Sequence, residues 1–107
     1  MTVKREQINI RDPFILLFEN TYYMYSSFNN TKVCYYTSED LENWKFGGIV
    51  FEIPSDFWAY KDVWAPEVHE YKGKFCLFVS ILGKNGLRGT QIAVSNTPYG
   101  WFTPLNN

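Results

Sequence analysis

Residues 11–27 read RDPFILLFENTYYMYSS, and residues 64–80 read WAPEVHEYKGKFCLFVS. Laid proline on proline, Pro13 over Pro66, the two stretches align without a gap. Ile15 falls on Val68, Phe18 on Tyr71, Tyr22 on Phe75, Met24 on Leu77, Tyr25 on Phe78 and Ser27 on Ser80. The turn residues ENT and KGK also coincide. Farther along the chain the spacing widens by four residues, an insertion placed in the loop ILGKNGLRG. There VCYYTSEDLENW lies over GTQIAVSNTPYGW, with Ser38 on Ser95 and Trp44 on Trp101. A unit of about fifty residues is therefore written twice, and self-similarity at such a period is the sequence signature of a repeat architecture.

Each unit reads as consecutive antiparallel strands. The first unit predicts strands near 14–18, 21–27, 32–37 and 46–52. The second predicts 67–71, 74–80, 89–95 and a short last strand from about 101. The runs are short, rich in aromatic and β-branched residues, and bounded by Asn, Gly, Ser and Asp. No segment carries an apolar stripe at helical spacing; SEDLENW has room for one helical turn. In TYYMYSS, Tyr22 and Met24 point one way while Tyr23 and Tyr25 point the other. A sheet with one wet face alternates apolar with polar residues, so a strand apolar on both sides belongs to a sheet covered on both sides. Four-stranded sheets of about fifty residues, each between neighbours, are the blades of a β-propeller. The expected fold is all-β: two four-stranded antiparallel blades, about 9–52 and 62–107, of a propeller that two blades do not close. The two outermost faces are expected to stay exposed and to favour self-association.

Composition fits such a core. Apolar residues make up 46% and aromatics 20% of 107 residues, which excludes a disordered chain. The formal charge of −1, with both signs interspersed, offers no footprint for nucleic acid or an anionic membrane. No apolar run is long enough to span a bilayer. The N-terminal residues lack the apolar stretch of a signal peptide, so a cytoplasmic location is expected by default. By the same token Asn29, in the sequon NNT, is not expected to be glycosylated. Cys34 and Cys76 both sit in strand-like runs and are expected to be buried free thiols. With one histidine and no clustered Cys, His or Asp, no metal ligand is assigned.

The chemistry is sought where the two units differ. Proline confines Asp12 to an extended conformation, and the first strand of each blade lines the central channel. A carboxylate just before that strand stands at the channel mouth. Asp12 is thus the candidate general base, with Arg11 beside it to favour its charged form; Asp-Pro is also a common turn opener. At the matching place the second unit has Ala65, preceded by Trp64 where the first has Arg11. An indole at a channel mouth suits the C–H face of a sugar ring. Trp44 and Trp101 recur at matched places and are expected to pack between blades. Glu67 either hydrogen-bonds a ligand hydroxyl or pairs with Arg88 or a lysine. Phe28, after the second strand, is a candidate wall of a sugar site. Asp62 and His69 are weaker candidates.

RDPFILLFENTYYMYSS, YTSEDLENW, DFWAYKDVWAPEVHEYKGKFCLFVS and GTQIAVSNTPYGWF together resemble the first blades of a glycoside hydrolase of family 43. The likeness runs from about residue 9 to 104. The resemblance implies a five-bladed propeller that hydrolyses arabinose- or xylose-containing glycans with inversion, using three carboxylates: a base, an orienting aspartate and a glutamate acid. Asp12 matches the base, Trp64 a tryptophan of the sugar pocket and Phe28, more loosely, an aromatic of that pocket. The other two carboxylates belong to later blades, so the 107 residues alone are expected to be inactive. Some members hold a channel calcium, whose ligands do not lie in this stretch; no cofactor is expected. The competing readings are a non-catalytic carbohydrate-binding module and a half-propeller that completes itself by association.

Overall fold

The computed structural model describes residues 2–4 and 13–105. Nine strands run in chain order: β1 (Thr2–Lys4), β2 (Phe14–Phe18), β3 (Thr21–Phe28), β4 (Lys32–Ser38), β5 (Asn43–Glu52), β6 (Ala59–Tyr71), β7 (Lys74–Gly83), β8 (Arg88–Ser95) and β9 (Thr103–Pro104). They form two antiparallel sheets, ordered β1-β5-β4-β3-β2 and β6-β7-β8-β9. No helix occurs among the described residues, and none is therefore long and apolar enough to cross a membrane. The repeated ENT and KGK turns close two-residue hairpins, with Phe18 opposite Thr21 and Tyr71 opposite Lys74. Glu19, Asn20, Lys72 and Gly73 all take positive φ, which the right-handed twist of a tight hairpin demands.

The core lies between the sheets, and the faces that meet there are not equivalent. Tyr23 and Tyr25 of β3 and Phe14, Leu16 and Phe18 of β2 supply one side. Phe75, Leu77, Val79 and Ile81 of β7 supply the other. Tyr25 is fully buried, yet its repeat counterpart Phe78 is 37% exposed on the far face of the second sheet. Leu77 is buried in the core, while its counterpart Met24 is buried on the opposite face of the first sheet. Blade one thus presents its "next" face and blade two its "previous" face. A head-to-tail contact of this kind propagates by rotation into a ring, which explains why the strands are apolar on both sides. Hydrogen bonds between the blades add to this packing: Tyr25 donates its hydroxyl to the buried Pro98 carbonyl at 2.5 Å, and the Phe102 amide donates to the Val50 carbonyl at 2.9 Å.

Several expectations are corrected. The first sheet has five strands, because β1 adds to the outer edge of β5; three residues carry too little pattern to be read. The second sheet begins at Ala59, since β6 is thirteen residues long and not five. Its first half slips register against β7 three times, between Ala59 and Glu67. Each bulge breaks the alternation that marks a strand. The stretch SEDLENW, which has room for one helical turn, forms a bend closed by Asp40. Its carboxylate accepts the Asn43 and Glu42 amides, the Asn43 side chain and the Ser38 hydroxyl, which hold its pKa well below the usual range. Both cysteines are free, but only Cys34 is buried, and burial pushes its thiol up to about 11. Cys76 is half-buried, on the face turned away from the core.

The matched tryptophans also part company. Trp44 is fully buried, whereas Trp101 is 53% exposed and Phe102 takes the buried place. Register gives the reason: Lys45 pairs with Thr37 and Thr103 with Val94, so the turn after Ser95 is one residue longer than the turn after Ser38. A one-residue slip moves a side chain to the other face. Gly100 absorbs that longer turn at φ +80°, with Val50 so close that a Cβ would lie 3.1 Å from it.

Candidate active site

Strand direction gathers one set of loops at one end of both sheets. Pro13 at the start of β2, the turn Asn29–Thr31, the crossing 53–58, the start of β6 and the loop 84–87 all lie there. The Val63 amide of β6 donates to the Asn30 carbonyl at 3.0 Å, and the Lys84 amide to Trp58 at 2.9 Å. These bonds fix the first half of β6 against the loops of both blades. Between β2 and β6, Pro13, Phe14, Ala65, Pro66 and Glu67 line a concavity of about 370 Å³. It is the wedge of channel bounded by the two innermost strands. Asp12 and Arg11 lie outside the described residues; Pro13, the next residue after Asp12, lines the wedge.

The second wall is built on strained backbone. Asp62 takes φ +58° and Ala65 φ +49°, a region sparsely used outside glycine and asparagine. Both sit within the register slips of β6. Bulges of this kind re-aim side chains and gather next to active sites. Here they bracket Trp64, which is 52% exposed although it sits in a ladder opposite Ser80. The Arg88 guanidinium lies over its ring at 3.6 Å. Arg88 also donates to the Ser80 hydroxyl at 2.8 Å and to the Asp62 carbonyl at 3.0 Å.

Glu67 therefore does not pair with Arg88. Its Oε1 lies 3.1 Å from His69 Nε2, and both side chains are more than half exposed, so the pair contributes little stability. Glu67 remains accessible at the rim of the wedge. His69 packs against Phe14 and Phe78, at 5.1 and 5.9 Å between ring centres. Phe28 is partly exposed and packs against Phe46 at 6.2 Å. The register of β3 and β4 places it on the face of blade one turned away from blade two. Pro13, Ala65 and Glu67 are thus brought together with Trp64 adjoining, and Phe28 stands apart from them. The stacking of Arg88 on Trp64 is not legible in the sequence, because it depends on bulges that shift β6 against β7. Among the described residues no group of three His, Cys, Asp or Glu side chains could hold a metal ion.

The family model described as glycosyl hydrolases family 43 matches residues 7–107. The chain belongs to glycosyl hydrolase family 43. An endo-arabinase of Bacteroides thetaiotaomicron superposes with a TM-score of 0.91 at 44% identity, over 98% of this family-43 chain and 37% of its own. A thermostable family-43 glycoside hydrolase superposes at 0.84 and 28% identity, over 99% of this chain and 33% of its own. An extracellular exo-α-(1→5)-L-arabinofuranosidase of Cellvibrio japonicus is 29% identical over 89 residues, 75% of this chain and 25% of the relative. The family-43 chain therefore spans about a quarter to a third of the length of these relatives. Its two sheets are two blades of their propeller fold.

Proposed function

We propose that these 107 residues supply the first two blades of a hydrolase that cleaves arabinose- or xylose-containing glycans with inversion, and that Asp12 is its general base. The wedge at the head of the innermost strands carries this reading. A sugar there would lie against Pro13, the residue that follows Asp12 in sequence, with the exposed Trp64 of β6 adjoining, Glu67 at the rim to bind a hydroxyl and Phe28 as an outlying aromatic. Arabinan comes first among substrates, because the relative at 44% identity is an endo-arabinase.

Inversion needs a base to activate water on one side of the ring and an acid to protonate the leaving oxygen on the other, about 6.5–9.5 Å apart. The family's acid and orienting carboxylates lie in later blades. Without the acid the leaving group departs unprotonated, which forfeits about 10²–10⁴-fold in rate. The 107-residue chain alone is therefore expected to release no arabinose or xylose from aryl glycosides above an Asp12→Ala control. Turnover that disappears in the control would show that two blades suffice.

Self-association accompanies this reading. Ile15, Leu17 and Phe46 are exposed on the free face of blade one, and Phe78 on the free face of blade two. These are the same two kinds of face that meet inside the chain. Head-to-tail oligomers are expected on light scattering, weakened by Leu17→Lys; a strict monomer at all concentrations counts against it.

A further inference from the structure

We propose that Arg88 is a positioning residue: it clamps one face of the Trp64 indole and leaves the opposite face as a one-sided platform for a pentose ring. The inference rests on the sugar-binding role proposed above for Trp64. An exposed tryptophan on a strand has several staggered rotamers open to it, and a ligand must then bear the cost of choosing one. Arg88 removes that freedom. Its guanidinium lies 3.6 Å from the Trp64 ring centre, and that group is itself fixed from two sides, by the Ser80 hydroxyl at 2.8 Å and the Asp62 carbonyl at 3.0 Å.

The path of this clamp is set by register. Trp64 stands opposite Ser80, Ser80 opposite Thr90, and Arg88 opposite Leu82. Arg88 thus reaches diagonally from β8, across β7, to β6, all on the face turned away from the core. The Asp62 carbonyl it holds belongs to a residue at φ +58°, so the same side chain braces the bulge that turns Trp64 outward. Only a planar group with several donors can stack and hold two acceptors at once; lysine is a point charge on a flexible stem. Trp64 is 52% exposed, and with one ring face under Arg88 the opposite face is the one left for stacking. A sugar can stack only there.

The test uses the 107-residue chain and its Arg88→Ala, Arg88→Lys, Ser80→Ala and Trp64→Phe variants. Subtracting spectra recorded in the Trp64→Phe background isolates the Trp64 signal from the other three tryptophans. Arg88→Ala is expected to raise acrylamide quenching of Trp64 about twofold and to diminish its near-UV dichroism. Ser80→Ala shifts both in the same direction by less, and Arg88→Lys does not restore them. These two milder variants serve if Arg88→Ala does not fold. Arabinotriose and xylotriose are then titrated by NMR. Arg88→Ala is expected to weaken binding about 5–30-fold, with no further loss when added to Trp64→Phe. An unchanged Trp64 signal in folded Arg88 variants overturns the assignment, as does an equal loss of affinity in the Trp64→Phe background. A shifted signal with no saccharide bound by any form, wild type included, supports the clamp and overturns the sugar-binding reading instead.

Discussion

Phe102→Ala is expected to destabilise the chain by about 3–5 kcal/mol, the usual cost of emptying a buried aromatic site, while Trp101→Ala costs less than about 1 kcal/mol. Phe102 is completely buried in the core between the sheets, and its amide also holds the Val50 carbonyl of the other blade. Trp101 is 53% exposed, and exposed substitutions away from caps and networks change stability little. Small domains have only about 5–15 kcal/mol to lose, so the first variant is expected to unfold at a much lower urea concentration. Urea midpoints followed by far-UV dichroism decide the matter. A larger loss from Trp101→Ala would mean that the tryptophans, as their matched spacing suggests, are the equivalent pair after all.

The second large effect concerns Asp12. Residues 1–107 can replace the matching third of the Bacteroides thetaiotaomicron endo-arabinase, with which they superpose at a TM-score of 0.91 and 44% identity. The blade faces that must meet are then close to those that already pack in that enzyme. The chimera is expected to hydrolyse arabinan. Asp12→Ala is expected to lower kcat by at least 10²–10⁴-fold, the contribution of a general base, and to leave KM within a few-fold. Loss in kcat alone marks an interaction made in the transition state and not in ground-state binding. Activity retained within tenfold in a folded Asp12→Ala chimera would remove Asp12 from the chemistry.

The sequence carried the strand content, the hairpins and the blade repeat, because those rest on local rules. Two-residue turns show themselves in their residue types, as at Glu19–Asn20 and Lys72–Gly73, and a strand apolar on both sides shows in TYYMYSS. The family was legible for the same reason: its motifs are contiguous stretches at fixed order. Features set by register were not legible. Which tryptophan is buried hung on one extra residue in a turn. Where β6 begins was hidden by bulges at Asp62 and Ala65. Arg88 reaches Trp64 only because those bulges set β6 against β7 as they do.

The chain by itself determined that two like sheets form and that each must be covered on both faces, since periodicity and turn chemistry are properties of neighbouring residues. Tertiary structure alone decided which faces meet, which aromatic fills the core and what stands behind the exposed indole. Those depend on register between strands distant in sequence, where a shift of a single position exchanges inside for outside.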